Sequence, residues 1–154
     1  MAVFRQMLAT LLADRFQLRI HHVRKDLPVY NLVVNKGGPK LKESPADAKF
    51  DFVASGAGRL GVKIVATHMT MQELIDHQLA GYTDRKIFDK TGLTAPYDFT
   101  LLFSVENARP GLIAEPNDPA PLASAIKDVG LKLEPGTASF DTVVIDHVER
   151  PSGN

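Results

Sequence analysis

The chain has 154 residues, 18 basic (Lys and Arg) and 18 acidic (Asp and Glu) side chains, and no cysteine. A chain of this length buries roughly 70% of its unfolded surface, so we expect one domain, 1–154, that is stable without a metal or a disulfide. Balanced charge removes the positive field typical of nucleic-acid binders, and no nucleic-acid partner is expected. The absence of cysteine excludes thiol nucleophiles, iron–sulfur clusters and cysteine zinc sites.

The N-terminal segment predicts a helix followed by two strands. Apolar residues recur at helical spacing over Val3–Phe16. Gln17–Arg24 and Pro28–Asn35 then alternate as half-buried strands do, and Lys25–Asp26 supplies turn residues between them. The segment Lys36–Gly61 has the Gly, Pro and Ser content of a loop, with a short strand near Phe50–Val53.

The middle of the chain contains the clearest helix signal. Val62–Thr67 predicts a strand, after which Thr70 and Glu73 have the spacing of a capping box. Met69 and Leu74 have the spacing of a hydrophobic staple. The apolar stripe of this helix consists of Met71, Leu74, Ile75 and Leu79, and Gly81 ends it.

Two further strands follow this helix. Lys86–Asp89 predicts a short strand, and Lys90–Pro96 predicts a turn that contains Gly92. Tyr97–Ser104 alternates as a half-buried antiparallel strand does. Its inward residues are predicted to be Tyr97, Phe99, Leu101 and Phe103.

The C-terminal third predicts a loop, a helix and a hairpin. Glu106–Ala120 is loop-like, and Asp118 or Ala120 is expected to cap a helix that has Pro121 in its first turn. The buried stripe of that helix is predicted to be Leu122, Ile126 and Val129, and Gly130 fits its C-terminal end. Leu131–Glu134 and Phe140–Glu149 predict a hairpin across Pro135–Ser139.

The predicted fold is α+β, built of three helix–strand–strand units with the helices packed on a mainly antiparallel sheet. Its C-terminal part reads β-α-β-β-α-β-β. Within the single domain, 1–35 and 62–150 are candidate subunits joined by the loop 36–61. The predicted core comprises Leu8, Leu11, Leu12, Leu74, Ile75, Phe99, Leu101, Ile126, Val144 and Ile145.

Histidines offer little support for a metal site. They are His21, His22, His68, His77 and His147. No two of them have ligand spacing on one helix face, and the one local hint is that His22 and His147 both lie on predicted strands. We therefore predict no metal site and no cofactor.

Three other groups of polar residues are interpreted as structural. Asp89, Lys90 and Thr91 with Asp98 place reactive groups around one turn, but Asp and Thr side chains commonly hydrogen-bond turn backbone. The segment Lys36–Lys40, followed by Lys42, lacks the order of a phosphate-binding loop. Ser55 and Ser139 have no nucleophile motif and no evident base, so no catalytic residue is predicted. Aromatic side chains at Phe88, Tyr97, Phe99 and Phe103 are interpreted as core.

Four motifs resemble a soil-associated family of bacterial proteins of unknown function. They are LLADRFQLRIHH, DLPVYNLVVNKGGPKLK, KIFDKTGLTAPYDFTLLFS and VVIDHVERPSGN, in this order along nearly the whole chain. Members of that family usually carry a signal peptide and a further half-domain ahead of the counterpart of Val3. The resemblance therefore implies a periplasmic or secreted location, and a chain that is a trimmed form or a short reading frame.

The resemblance implies no activity. The C-terminal element order is also similar to the small N-terminal domains of secretins and outer-membrane receptors, which are docking modules, although a shared fold transfers no residue-level function. We expect a non-catalytic module that binds a protein or a cell-envelope component through a sheet edge or its long loops. The alternative is a hydrolase whose site is assembled only in three dimensions, so the sequence leaves open whether the chain is an enzyme.

Overall fold

The computed structural model describes residues 2–58, 61–105 and 119–151. Their secondary structure confirms the α+β class, with three α-helices and seven strands in the described residues. The helices are α1 (Ala2–Phe16), α2 (Met71–His77) and α3 (Leu122–Asp128), and a 3₁₀ turn follows α2 at Leu79–Gly81. The strands are β1 (Arg19–Val34), β2 (Lys42–Glu43), β3 (Asp51–Ala57), β4 (Gly61–Met69), β5 (Ile87–Asp89), β6 (Tyr97–Ser104) and β7 (Leu131–His147).

The chain divides into two compact units. One comprises 1–27 and 138–154, and contains α1 with the first part of β1 and the last part of β7. The other comprises 28–137 and contains every remaining element. The expectation of a single domain with candidate subunits 1–35 and 62–150 stays a prediction.

A four-stranded antiparallel sheet in the unit 28–137 has the order β2-β6-β4-β3. β3 and β4 pair in continuous register from Asp51 opposite Thr67 to Ala57 opposite Gly61. β4 and β6 pair in the same manner until a register shift between Ala66 and Met69. The strand predicted near Phe50–Val53 is therefore longer than expected, because its partner β4 supports seven residues of pairing.

A second sheet has the order β5-β1-β7, with β5 parallel to β1 and Tyr30 opposite Ile87. Two predicted hairpins are absent from it. The expected turn at Lys25–Asp26 lies inside the continuous strand β1, and Pro135–Ser139 lies inside β7. Both predictions were wrong because the two long strands pair with each other, so that turn-forming residues are held extended by the neighbouring strand.

The prediction of three helix–strand–strand units is therefore corrected. The first and the last of them each contain one long strand in place of two short ones, and the C-terminal part of the chain has the order β-α-β-β-α-β. The helices and the central strand β6 lie where the sequence predicts them. Helical spacing and strict alternation are local signals, which explains their success.

Helix α2 begins as its sequence predicts. The Thr70 hydroxyl accepts a hydrogen bond from the Glu73 N–H, and the Glu73 carboxylate accepts one from the Thr70 N–H over 2.9 Å. This reciprocal capping box satisfies two N–H groups that the helix leaves without partners. Met71, Leu74 and Ile75 face the core.

The third helix begins differently from the prediction. Pro121 is its N-cap residue and no side chain caps it, so neither Ala120 as cap nor Pro121 in the first turn is correct. Asp118 lies outside the described residues, as does most of the loop predicted at 106–120. At the other end Gly130 has φ +79°, as expected of a helix C-terminus.

One hydrophobic cluster in the unit 28–137 joins both sheets, α2 and α3. It buries Leu74, Ile75, Phe99, Leu101 and Ile126, which confirms half of the predicted core. Leu8, Leu11 and Ile145 are exposed, and Leu12 and Val144 are only partly buried. The prediction for these five was wrong because an apolar stripe indicates only which face of an element can be buried. In the unit formed by 1–27 and 138–154, the described residues cover too little of those faces.

Membrane crossing receives no support from the helices. Within the described residues, none is both long enough and apolar enough to span a bilayer.

Candidate functional site

The free edge of β3 is the most distinctive exposed feature of the unit 28–137. β3 is the last strand of its sheet, and no described residue pairs with its outer side. Six of its seven residues are exposed, whereas the neighbouring strand β4 alternates between buried and exposed positions. An edge of this kind presents unpaired N–H and C=O groups to any extended segment that approaches it.

Aromatic side chains flank this edge on one face. The rings of Phe50 and Phe52 lie 5.8 Å apart at an interplanar angle of 58°, and the Phe50 ring lies 6.5 Å from that of His77. Both Phe side chains remain exposed. The edge therefore combines backbone hydrogen-bonding capacity with apolar area.

A groove of about 620 Å³ lies elsewhere in the same unit. Its volume is within the range of small-molecule sites. The residues that line it are Tyr30, Gly81, Tyr82, Thr83, Asp84, Pro121, Leu122, Ala123 and Leu133. Arg85 covers the Tyr30 ring at 5.2 Å, and the Tyr82 ring packs edge-on against Phe103 at 5.0 Å, so both aromatic rings are engaged by the protein itself.

Ser44, His68 and Asp98 lie close together beside the four-stranded sheet. The sequence did not group these three residues; it placed Asp98 with the turn after β5. The Ser44 hydroxyl donates a hydrogen bond to Asp98 Oδ1, which also accepts one from the His68 backbone N–H over 3.0 Å. The hydrogen bond from Ser44 and the one from His68 lower the pKa of the Asp98 carboxyl. The residue types are those of a catalytic triad.

The contacts among these three residues nevertheless differ from those of a triad. Asp98 contacts His68 through the backbone, and no hydrogen bond joins the imidazole to Ser44. His68 has φ 52° and lies in the irregular segment of β4 between Ala66 and Met69. Its buried Nδ1 has no hydrogen-bond partner. A triad requires a hydrogen bond between the base and the hydroxyl, and the hydrogen bonds observed here hold the bulge in β4 instead.

Two other groups with shifted pKa values are likewise explained by local structure. The backbone and hydroxyl hydrogen bonds from Thr70 lower the pKa of Glu73. Burial raises the pKa of Tyr97, and the nearby Glu43 adds to that effect. Neither residue lines the groove, and neither does Asp98.

Three of the remaining histidines each contact a different carboxylate. In the unit 1–27 with 138–154, His21 contacts Asp146 at 2.8 Å, His22 contacts Asp141 at 2.9 Å, and His147 contacts Glu149 at 2.8 Å. His22 and His147 thus engage different carboxylates. In the described part of the chain, no group of three or more potential ligands could hold a metal ion.

The turn after β5 has the architecture predicted from its residues. Asp89 Oδ1 accepts hydrogen bonds from the Thr91 N–H over 2.9 Å and from the Thr91 hydroxyl over 2.8 Å. Gly92 has φ +71°. The Lys90 N–H donates to the Leu32 carbonyl, so the turn is fastened to β1.

The glycine-rich segment 36–40 also has a structural role. A Cβ at Gly130 would lie 2.2 Å from the Gly38 carbonyl oxygen, and the Lys40 N–H already donates to the Val129 carbonyl. The segment therefore packs closely against the end of α3, which occupies the Lys40 N–H. Ser55 and Ser139 are exposed on β3 and β7, and Phe88 is only half-buried, in contrast to Tyr97, Phe99 and Phe103.

Sequence reasoning missed the extent of the β3 edge and the Ser44–Asp98 contact. An available signal for the edge was the run from Phe52 to Gly58, which contains no charge and no proline. The contact between Ser44 and Asp98 spans 54 positions and has no local signature.

No curated protein and no solved structure matches this chain. A family model described as "Protein of unknown function (DUF3738)" matches residues 1–148, and the chain therefore belongs to that family.

Proposed function

We propose that this protein is a non-catalytic docking module that receives an extended segment of a partner on the free edge of β3. The observation that carries the proposal is the exposure of β3 along its length, with an open outer side among the described residues. Strand addition draws affinity from backbone hydrogen bonds and specificity from alternate side chains. The Phe50 and Phe52 rings provide an apolar contact on one face of such a strand.

The chemistry of the titratable groups favours docking over hydrolysis. In an enzyme, groups with shifted pKa values are expected to converge in a concave site. Here Glu73, Tyr97 and Asp98 lie outside the lining of the 620 Å³ groove. Their shifts come from a helix cap, from burial and from a bulge.

The partner class follows from the same geometry. A free strand edge fits a polypeptide, and we infer a protein or a protein component of the cell envelope. A periplasmic or secreted location is part of the proposal, supported by the resemblance of the four motifs to an exported, soil-associated family.

Photo-crosslinking tests the proposal. A benzophenone side chain is placed at Val53 on the edge strand, with Leu102, exposed on the central strand β6 of the same sheet, as the matched control position. The full chain is irradiated with envelope proteins. We expect adducts from position 53 that are absent from position 102 and that disappear when Ala54→Lys places a charge on the edge.

Two results would overturn the docking proposal. One is equal adduct formation from positions 53 and 102. The other is multiple-turnover hydrolysis of ester or peptide substrates by the unmodified chain that is lost on substitution of a described side chain.

A further inference from the structure

The edge strand β3 lacks the devices that usually prevent strand pairing. It contains no proline and no lysine, its single charge is Asp51 at the first position, and its seven residue pairs with β4 show no bulge. Natural proteins block edge strands with those features because an unblocked edge recruits other strands. Among the described residues, nothing therefore blocks the outer side of β3 along its length.

Large and small residues lie in different halves of β3. Its first half contains Phe52 and Val53, and its second half contains Ser55, Gly56 and Ala57. An antiparallel copy of the same strand, centred on Ala54, places Phe52 opposite Gly56, Val53 opposite Ser55 and Asp51 opposite Ala57. Every large side chain then faces a small one, and the two Asp51 carboxylates are at opposite ends.

Other arrangements of two identical strands are less favourable. A parallel copy in register would stack Asp51 on Asp51 and Phe52 on Phe52. Like charges directly opposite each other destabilise a strand pair. The sequence of β3 thus complements itself in one orientation.

The structure leaves room for the contact that this orientation requires. A Cβ at Gly56 would meet no atom of the described residues within 4 Å, so this part of the structure leaves the space above Gly56 empty. The Phe52 ring is 38% exposed and lies on the same side of the strand as Gly56, since the two are four residues apart. Aromatic rings that cover an edge glycine stabilise β-sheets. Glycine in a strand also marks places where another backbone approaches closely.

We propose that two copies of this chain pair through β3 about a two-fold axis at Ala54, which joins their four-stranded sheets into one of eight strands. The proposal rests on the docking function of the same edge and names its occupant, a second copy of this chain. The interface is isologous, because each copy contributes the same strand. Pairing fills the empty space at Gly56 and covers Phe52.

A thiol at the two-fold axis tests the register. The chain has no cysteine, so Ala54→Cys carries a single thiol. Opposed residues of antiparallel strands have Cα atoms about 4.5–5.5 Å apart, within the range that a disulfide spans. We expect oxidised Ala54→Cys full chain to form a covalent dimer. Thr100→Cys, exposed on the central strand β6, is the matched control and remains uncrosslinked.

A mixed experiment separates this register from other strand pairings. Asp51→Cys and Ala57→Cys are each expected to stay uncrosslinked alone, because the proposed pairing separates equivalent thiols by about six residues, roughly 20 Å. Mixed together and oxidised, the two variants form a heterodimer. Crosslinking of either variant with itself would contradict the register.

Sedimentation of the unmodified chain gives the second readout. We expect a dimer that dissociates in Ala54→Lys, which opposes two lysines, and that persists in Val65→Lys on the neighbouring strand. A monomer at all concentrations, or a dimer that survives Ala54→Lys without crosslinking at position 54, overturns the inference.

If the monomer still forms edge-dependent adducts at Val53 with other proteins, the docking function stands and only self-pairing fails. If neither pairing nor adducts occur, both fail.

Discussion

The Asp98 carboxylate accepts a hydrogen bond from the His68 backbone N–H over 3.0 Å, and His68 is a non-glycine residue held at φ 52°. A side chain in this region of backbone space is disfavoured and persists only where its surroundings hold it. The hydrogen bond lies where the pairing of β4 with β6 shifts register, between Ala66 and Met69. Asp98 thus stabilises the bulge that leads β4 into α2.

Removal of that acceptor is expected to destabilise the protein. Asp98→Ala should lower the melting temperature, because the His68 N–H and the Ser44 hydroxyl both lose a charged acceptor. Thermal unfolding followed by circular dichroism measures the change. Asp26→Ala, at an exposed position of β1, is the control. Equal effects of the two substitutions would show that the bulge does not depend on Asp98.

Substitution of Leu74 tests the orientation of α2. Leu74 is 2% exposed in the central cluster, and Leu74→Ala should reduce the free energy of unfolding by about 2–5 kcal/mol. Urea denaturation is the measurement. Leu102→Ala, at an exposed apolar position on β6, should cost much less. A loss below about 0.5 kcal/mol for Leu74→Ala would mean that the helix presents another face to the core.

The turn after β5 offers a test of backbone strain without steric contact. A Cβ at Gly92 would meet no described atom within 4 Å, so the cost of Gly92→Ala comes from its φ of +71°. We expect a loss of about 1 kcal/mol or more in the free energy of unfolding. Gly81→Ala is the matched control, since Gly81 also has open space but is not a positive-φ glycine. Identical losses at the two glycines would refute the architectural role of the turn.

The capping box of α2 makes stability depend on pH. Hydrogen bonds from Thr70 lower the pKa of Glu73 below its usual 4.5. Because the folded state favours the ionised carboxylate, this contribution is complete above about pH 4.5 and is lost as pH falls through the folded-state pKa. Glu73→Gln keeps an oxygen acceptor at this position of the capping box but cannot titrate.

The measurement is the difference in free energy of unfolding between the natural chain and Glu73→Gln from pH 7 to pH 3. The advantage of the natural chain should shrink toward acid. A difference that stays constant, or grows, across this range would contradict the assignment of the pKa shift to the folded state.

Local patterns in the sequence were sufficient for several elements. Strict alternation over Tyr97–Ser104 predicted β6 with its bounds and its inward face, and the Thr70–Glu73 pair predicted the cap of α2. The turn at Asp89–Gly92 followed from the preferences of Asp, Thr and Gly. These features depend on residues within a few positions of one another, so the sequence contains their physical cause.

Long-range pairing decided the rest. Lys25–Asp26 and Pro135–Gly136 have the composition of turns, yet each lies within a strand because β1 and β7 are hydrogen-bonded neighbours in one sheet. The exposure of Leu8, Leu11 and Ile145 could not be predicted either. Amphipathic spacing shows which face is apolar, and only the tertiary structure shows whether anything covers it.

By itself the sequence determined the α+β class, the positions of the helices and the turn at Asp89–Gly92, since these follow from periodicity and backbone preference. Tertiary structure decided which strands are continuous, that Ser44 and Asp98 hold the bulge in β4, and that β3 is the last strand of its sheet. A strand's own residues specify its alternation but not its neighbours, because the hydrogen bonds that assign it to the centre or the edge of a sheet come from residues distant in sequence.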